Sequence, residues 1–260
     1  MSAPAAPGTR RGPGRAIRWL LAVQVAIAGL LIGGDFLRLL PEFIPRDDPA
    51  PPLDTEVRPG DQTRRYAPRF TLPGVPGDRT FPSSDVPSRL TWQPAQIDSA
   101  PGLLLTGEIQ PGDAARFATH LDARESPPAT IALHSPGGSV LDAVEIGARI
   151  REGGIATRVS AGRACFSACP YALAGGTSRT ISRGARVGVH QHFFDENAVL
   201  PAFMAVEGIQ RGQAEVMAHL DAMGVDPLLM EKAMRTPRED IYILVEDELT
   251  GFALATEMVD

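Results

Sequence analysis

Apolar positions along this chain follow three different patterns. From Trp19 to Gly34 they form one run interrupted only by Gln24. Counted from Ala16 the run is 19 residues, close to the ~20 that cross a bilayer as a helix. From Pro41 to Pro101 the pattern dissolves, and thirteen of the 24 prolines fall there. Proline removes an amide donor and fixes φ, so this stretch predicts neither helix nor central strand. It reads as an extended spacer to about Arg65, followed by loops or an edge strand packed on a domain and carrying Phe70, Phe81, Leu90 and Trp92.

Regular periodicity starts near Gly102. Leu103–Thr106, Thr130–His134 and Ala156–Ser160 read as strands, and their centres, Leu104, Ile131 and Arg158, are 27 residues apart. Between them lie helical stripes: Ala115, Phe117, Ala118 and Leu121 in Asp113–Arg124, then Val140, Ala143, Val144 and Ile150 in Val140–Arg151. Gly147 falls in the second stripe, where it weakens the helix but permits close packing. Strand–helix–strand units with short links predict parallel strands with crossover helices, and their repetition predicts a stacked or coiled α/β domain over 102–260. Helices follow at Ala202–Met223 and Pro227–Arg235, then a strand at Asp240–Val245 and a short acidic-capped helix.

Composition narrows the function classes. At 260 residues, 43% hydrophobic and 22% charged, the chain can build a sizeable core. A net charge of −6 leaves no basic excess for phosphates, which argues against nucleic-acid binding. Two cysteines are too few for a disulfide scaffold or a four-cysteine zinc site. Arg10, Arg11, Arg15 and Arg18 precede any acidic residue, so residues 1–15 are expected on the cytoplasmic side, with 16–40 as the anchor and the rest outside. A cleavable signal with Ala26-Ile27-Ala28 as its processing site is the alternative; Leu30, Leu31 and Ile32 prolong the run beyond it, which fits an anchor better.

Three strand ends carry candidate chemistry. Ser135-Pro136-Gly137-Gly138-Ser139 places paired glycines before a helix, suited to holding an oxyanion on backbone amides or simply to turning the chain. In Cys165-Phe166-Ser167-Ala168-Cys169-Pro170, the proline must lie in the first helical turn, which leaves Ser167 at or near the N-cap, as a nucleophile or as a capping serine. In Val187-Gly188-Val189-His190, the alternation turns His190 away from the buried valines, as a base or a structural histidine. Asp240 opens the last long strand, where an aspartate either orients a base or caps a turn. Together these supply the parts of an acyl-transfer site: hydroxyl, imidazole, carboxylate and amide pair.

The ordered motifs resemble the proteolytic subunit of the Clp protease, within the Clp/crotonase superfamily, over about 102–256. The resemblance is carried by Leu105-Thr106-Gly107-Glu108-Ile109, Ser135-Pro136-Gly137-Gly138, Ser167 with Ala174-Gly175-Gly176 downstream, Val189-His190-Gln191, and Asp240-Ile241-Tyr242 with Glu248 and Gly251. It implies an α/β superhelix of β-β-α units with mainly parallel strands. It implies a serine peptidase with Ser167 as nucleophile, His190 as base and Asp240 as orienter. The oxyanion would lie on the amides of Gly138 and Ala168, supported by Gly137, and no cofactor is implied. Family members form rings through the helix after the histidine strand, so Ala202–Met223 is the expected self-association element. Cys-Phe-Ser-Ala-Cys stands where the family has small residues and Ser-Met-Gly, and His134 replaces an asparagine. No feature for docking an ATPase is recognisable.

The anchor and motifs together place a peptidase domain on the periplasmic face of a bacterial inner membrane, acting on peptide or protein. An idle scaffold or peptide-binding module, and a crotonase-like acyl-thioester enzyme, are the rivals. Cys165 and Cys169 flank Ser167 and either form a disulfide clamping its turn or remain two buried thiols. Lys232, the one lysine, is the base of an alternative Ser–Lys dyad. His190 and His192 have no cysteine or carboxylate at ligand spacing, so no metal site is expected.

Overall fold

The computed structural model describes residues 14–43, 50–53, 55–66, 86–192 and 202–260. Most of the expected basic tail, and Phe70 and Phe81, lie outside these residues. The chain divides into a unit Met1–Pro49 and a unit Ala50–Asp260. The first contains helix α1 (Gly14–Phe43), with mean hydropathy 1.8 over Ile17–Gly34. Its described large side chains are exposed, Trp19 to 72% and Leu30 to 77%. Among the described residues it is the one helix long and apolar enough to cross a membrane.

The second unit runs β1 (Thr63–Arg65), β2 (Thr91–Ile97), β3 (Ala100–Thr106), α2 (Asp113–Asp122), β4 (Thr130–His134), α3 (Val140–Glu152), β5 (Ala156–Val159), β6 (Ala164–Phe166), α4 (Cys169–Ala174), β7 (Arg179–Ser182), β8 (Arg186–Val189), α5 (Ala202–Ala222), α6 (Leu229–Arg235), β9 (Asp240–Ile243), α7 (Glu246–Gly251) and β10 (Glu257–Val259). It is mixed α/β. The larger sheet has the order β10-β7-β5-β4-β3-β2, parallel except for β2, which pairs antiparallel with β3 at the edge. The smaller sheet has the order β1-β9-β8-β6, with only β6 and β8 parallel.

The unbroken apolar run of β3 follows from cover on both faces. Leu103 and Leu105 enter the main core with Phe117, Ile131, Ile146 and Ile150, while Leu104 packs with Ile97 and Ala132 on the other side. In α2 the buried stripe is Ala114, Phe117 and Leu121. Phe117 and Leu121 are buried as expected, whereas Ala115 is exposed and Ala114 takes its place.

The domain starts earlier than the expected boundary at 102. Residues 50–66 are no spacer: β1 pairs antiparallel with β9, matching Arg64 to Ile241. Leu53, Val57 and Tyr66 cover the apolar face formed by Ala164, Phe166, Ile241 and Ile243. Without that cover, Ile241 and Ile243 would face water beside an open strand edge. Arg64 fastens the segment. Its buried guanidinium donates to the carbonyls of Glu56, Asp61 and Thr63 and pairs with the Asp61 carboxylate.

All six residues of α4 are buried, and α4 crosses α3 at a contact without side chains. A Cβ on Gly175 would overlap the Gly147 carbonyl, and one on Gly147 would stand 2.5 Å from the Tyr171 carbonyl oxygen. Both obstacles are backbone and cannot swing aside. Gly175→Ala is therefore expected to cost about 1–3 kcal/mol by overpacking. The urea unfolding midpoint of the full chain measures it, and an unchanged midpoint would show that the helices separate freely.

Candidate active site

Between the last residue of β6 and the first of α4 the chain must reverse within two residues. Ser167 makes the reversal with φ of 57°, a left-handed conformation that a side chain disfavours. Its amide donates to the Gly188 carbonyl at 2.9 Å, which ties the turn to β8. Ala168, not Ser167, is the N-cap of α4, and Pro170 lies in the first turn, where its missing donor costs no hydrogen bond. A disulfide joins Cys165 and Cys169, both fully buried, with Cα atoms 5.1 Å apart. The loop it closes contains Ser167.

Beyond Val189 the chain leaves β8 and presents His190, buried to 2% exposure. Its Nε2 lies 2.8 Å from Ser167 Oγ, and its Nδ1 lies 2.9 Å from the Arg238 carbonyl oxygen. A carbonyl only accepts, so Nδ1 carries the proton and donates. Nε2 of the neutral ring is then left to accept from the serine hydroxyl. Burial lowers the His190 pKa below its ordinary 6.5, opposed by the Arg238 and Asp240 main chain and by the Glu239 charge. The ring is therefore neutral at pH 7.

Asp240 was expected to orient this imidazole through its carboxylate. It stands at the start of β9, buried, with its main chain against the ring, and the carbonyl of Arg238 two residues earlier meets Nδ1.

The glycine loop adjoins the same place. A Cβ on Gly137 would stand 2.5 Å from Ser167 Cβ and 2.8 Å from the Ala168 nitrogen, so only glycine allows this approach, at φ of 100°. Nearly every backbone group of the loop is engaged. Ser135 exchanges hydrogen bonds with Ala164 and Phe166 of β6, and Gly137 N donates to Ser135 Oγ. Ile109 N donates to Gly137 O, Ser139 N to Ile109 O, and Tyr66 Oη to Pro136 O. The amides of Gly138 and Ala168 enter no hydrogen bond with the described residues. Ala168 is buried, where an amide normally has a partner, whereas Gly138 is exposed; both are donors free to meet a negative oxygen beside Ser167.

Neighbouring histidines are structural. His134 Nδ1 accepts from the Ala164 amide at 3.1 Å, stitching the end of β4 to β6, and burial pushes its pKa down to about 4. His192 Nε2 lies 2.8 Å from Tyr171 Oη, and burial followed by the His190 charge pushes it down to about 4. Lys232 is no base for Ser167. Its ammonium pairs with Glu248 at 3.3 Å and stands over the Tyr242 ring, and the Glu248 hydrogen bond raises its pKa, the reverse of what a general base needs. A cavity of about 370 Å³ opens between β2, β3 and residues 124–129, and none of these groups lines it.

Two residues at the site carried no signal in the sequence. Arg238 contributes its carbonyl. Tyr66, just past the end of the expected spacer, packs edge-on against the His190 ring with centroids 4.7 Å apart.

No protein-family model matches this sequence, and no curated protein sequence matches it. Among solved structures, a ClpP1 mutant from Listeria monocytogenes is similar at 17% identity with a TM-score of 0.47, over 60% of this chain and 90% of that one.

The disulfide is open to direct measurement. Under denaturing conditions both cysteines are expected to resist alkylation until a reductant is added, and alkylation without reductant would refute the bond. Closing so short a loop constrains the unfolded chain by about 2 kcal/mol. Replacing both cysteines with alanine should lower the unfolding free energy by that order.

Proposed function

We propose that this chain is a serine-type peptidase that acts through an acyl-enzyme at Ser167. The observation that carries the proposal is the 2.8 Å contact between Ser167 Oγ and a His190 Nε2 whose tautomer is set by a backbone carbonyl. In the first half-reaction Oγ attacks the substrate carbonyl carbon, and its proton passes to Nε2. The carbonyl oxygen becomes an oxyanion held by the Gly138 and Ala168 amides. The imidazolium then protonates the leaving amine as the C–N bond breaks, leaving an acyl-serine. Water repeats the sequence with the same base, releasing the acid and restoring the hydroxyl.

The Arg238 carbonyl orients the ring, and Asp240 supports it from the start of β9. The peptide substrate class and the Clp/crotonase-type superhelix rest on the sequence motifs around these residues. Placement in a bacterial inner membrane, with the domain on the periplasmic side, is supported by α1 and by a disulfide of a kind that persists outside the reducing cytoplasm. Exposed Val206 and Met217 on α5 suit it for self-association.

A fluorophosphonate probe tests the chemistry. The full chain should be labelled at Ser167, and Ser167→Ala should abolish labelling; a folded chain that stays unlabelled is a scaffold. Only the neutral imidazole accepts a proton, so the labelling rate should rise with pH through a midpoint below 6.5 and be level from neutrality upward. A midpoint above 7 would contradict a buried base. His190→Ala should slow labelling by about 10²–10⁴. Asp240→Asn separates carbonyl orientation from carboxylate orientation: a loss under about tenfold is expected, where a carboxylate-oriented triad loses about 10⁴.

A further inference from the structure

We infer that Tyr66 is a positioning residue of the Ser167–His190 pair, joining the imidazole, the glycine loop and the β9 turn through one side chain and one amide. The inference rests on the peptidase reading and adds to it a residue outside the motif-bearing region 102–260. Three contacts fix Tyr66. Its amide donates to the Glu239 carbonyl at 2.9 Å, its ring meets the His190 ring at 4.7 Å and 60°, and its hydroxyl donates to the Pro136 carbonyl at 2.6 Å. Each partner adjoins a working group: Glu239 follows Arg238, whose carbonyl takes the Nδ1 proton, and Pro136 precedes the glycines beside Ser167.

The geometry gives Tyr66 two separable tasks. The ring occupies one side of the imidazole and excludes water there, which keeps the histidine neutral and prevents it from tilting away from Ser167. The hydroxyl fixes the plane of the Pro136–Gly137 peptide and with it the direction of the following amide at Gly138. Burial, helped by the Glu108 charge, raises the phenol pKa, so the hydroxyl stays a donor across the working range. Among the described residues, the charged or titratable groups at the imidazole include Arg238 and Glu239 in the turn before β9, Asp240 at its start, and His192 two residues along its own strand end. None of them is altered by changing Tyr66.

The test uses the full chain in detergent micelles, with the His190 imidazole titrated by NMR and Ser167 labelling followed in the same samples. Tyr66→Leu, which removes the ring, should move the His190 midpoint up toward 6.5. Tyr66→Phe, which keeps the ring, should leave that midpoint in place and slow labelling by about two- to tenfold, the range spanned by one neutral hydrogen bond. A merely structural tyrosine would not separate the two variants in this way. Identical midpoints in all three proteins would overturn the inference. If Tyr66→Leu does not fold, an unchanged labelling rate in Tyr66→Phe overturns it instead. Absence of labelling in the unaltered chain would remove the peptidase reading, while the histidine titration would still decide whether Tyr66 governs the imidazole.

Discussion

A residue with a side chain held in the left-handed region costs about 1–2 kcal/mol relative to the ordinary helical basin. Ser167 is held there at φ of 57°, and much of the surrounding structure serves to keep it so. Its amide is bonded to β8, a disulfide closes the turn, and Gly137 fills the space on its open side without a Cβ. The wholly buried α4 supports it from below, and its position depends on the glycine crossing with α3. A looser turn would let the serine relax and carry Oγ away from the imidazole. Such local strain is maintained only where the surroundings over-determine it, as they do here.

The smaller sheet completes this arrangement from two distant parts of the chain. β6 and β8 bring the serine and histidine side by side, while the turn before β9 brings the carbonyl that sets the tautomer. β9 would be an open edge but for β1, whose pairing brings residues 50–66 across the apolar face of the sheet. Leu53, Val57 and Tyr66 are thereby part of the domain's packing, and Tyr66 reaches the histidine.

Legibility in the sequence followed the size of the physical signal. Of the larger sheet, β3, β4 and β5 were readable from their apolar runs, and β4 matches its expected span residue for residue, while β7 and β10 carried no comparable local pattern. Ser167 stood out from the proline that fixes the start of the following helix, and His190 from the alternation of Val187 and Val189 before it. β1 has three residues, two of them arginine, in a proline-rich stretch, and its pairing energy comes from a strand some 180 residues away, so no local pattern marked it. The Arg238 carbonyl was illegible for a different reason. A carboxylate is visible in a sequence and a main-chain carbonyl is not, since every residue carries one. Sequence reasoning could name Asp240 beside the histidine but not the carbonyl that meets Nδ1.

The crosslink around Ser167 makes the protein's history matter to its behaviour. Two preparations of identical sequence, one matured in an oxidising compartment and one made in a reducing cytosol, would differ in the brace across the nucleophile turn, although they share every other contact. Because both sulfurs are fully buried, a later change of buffer would not readily equalise them. The state of the bond belongs with sequence and purity as something to establish before two batches are compared.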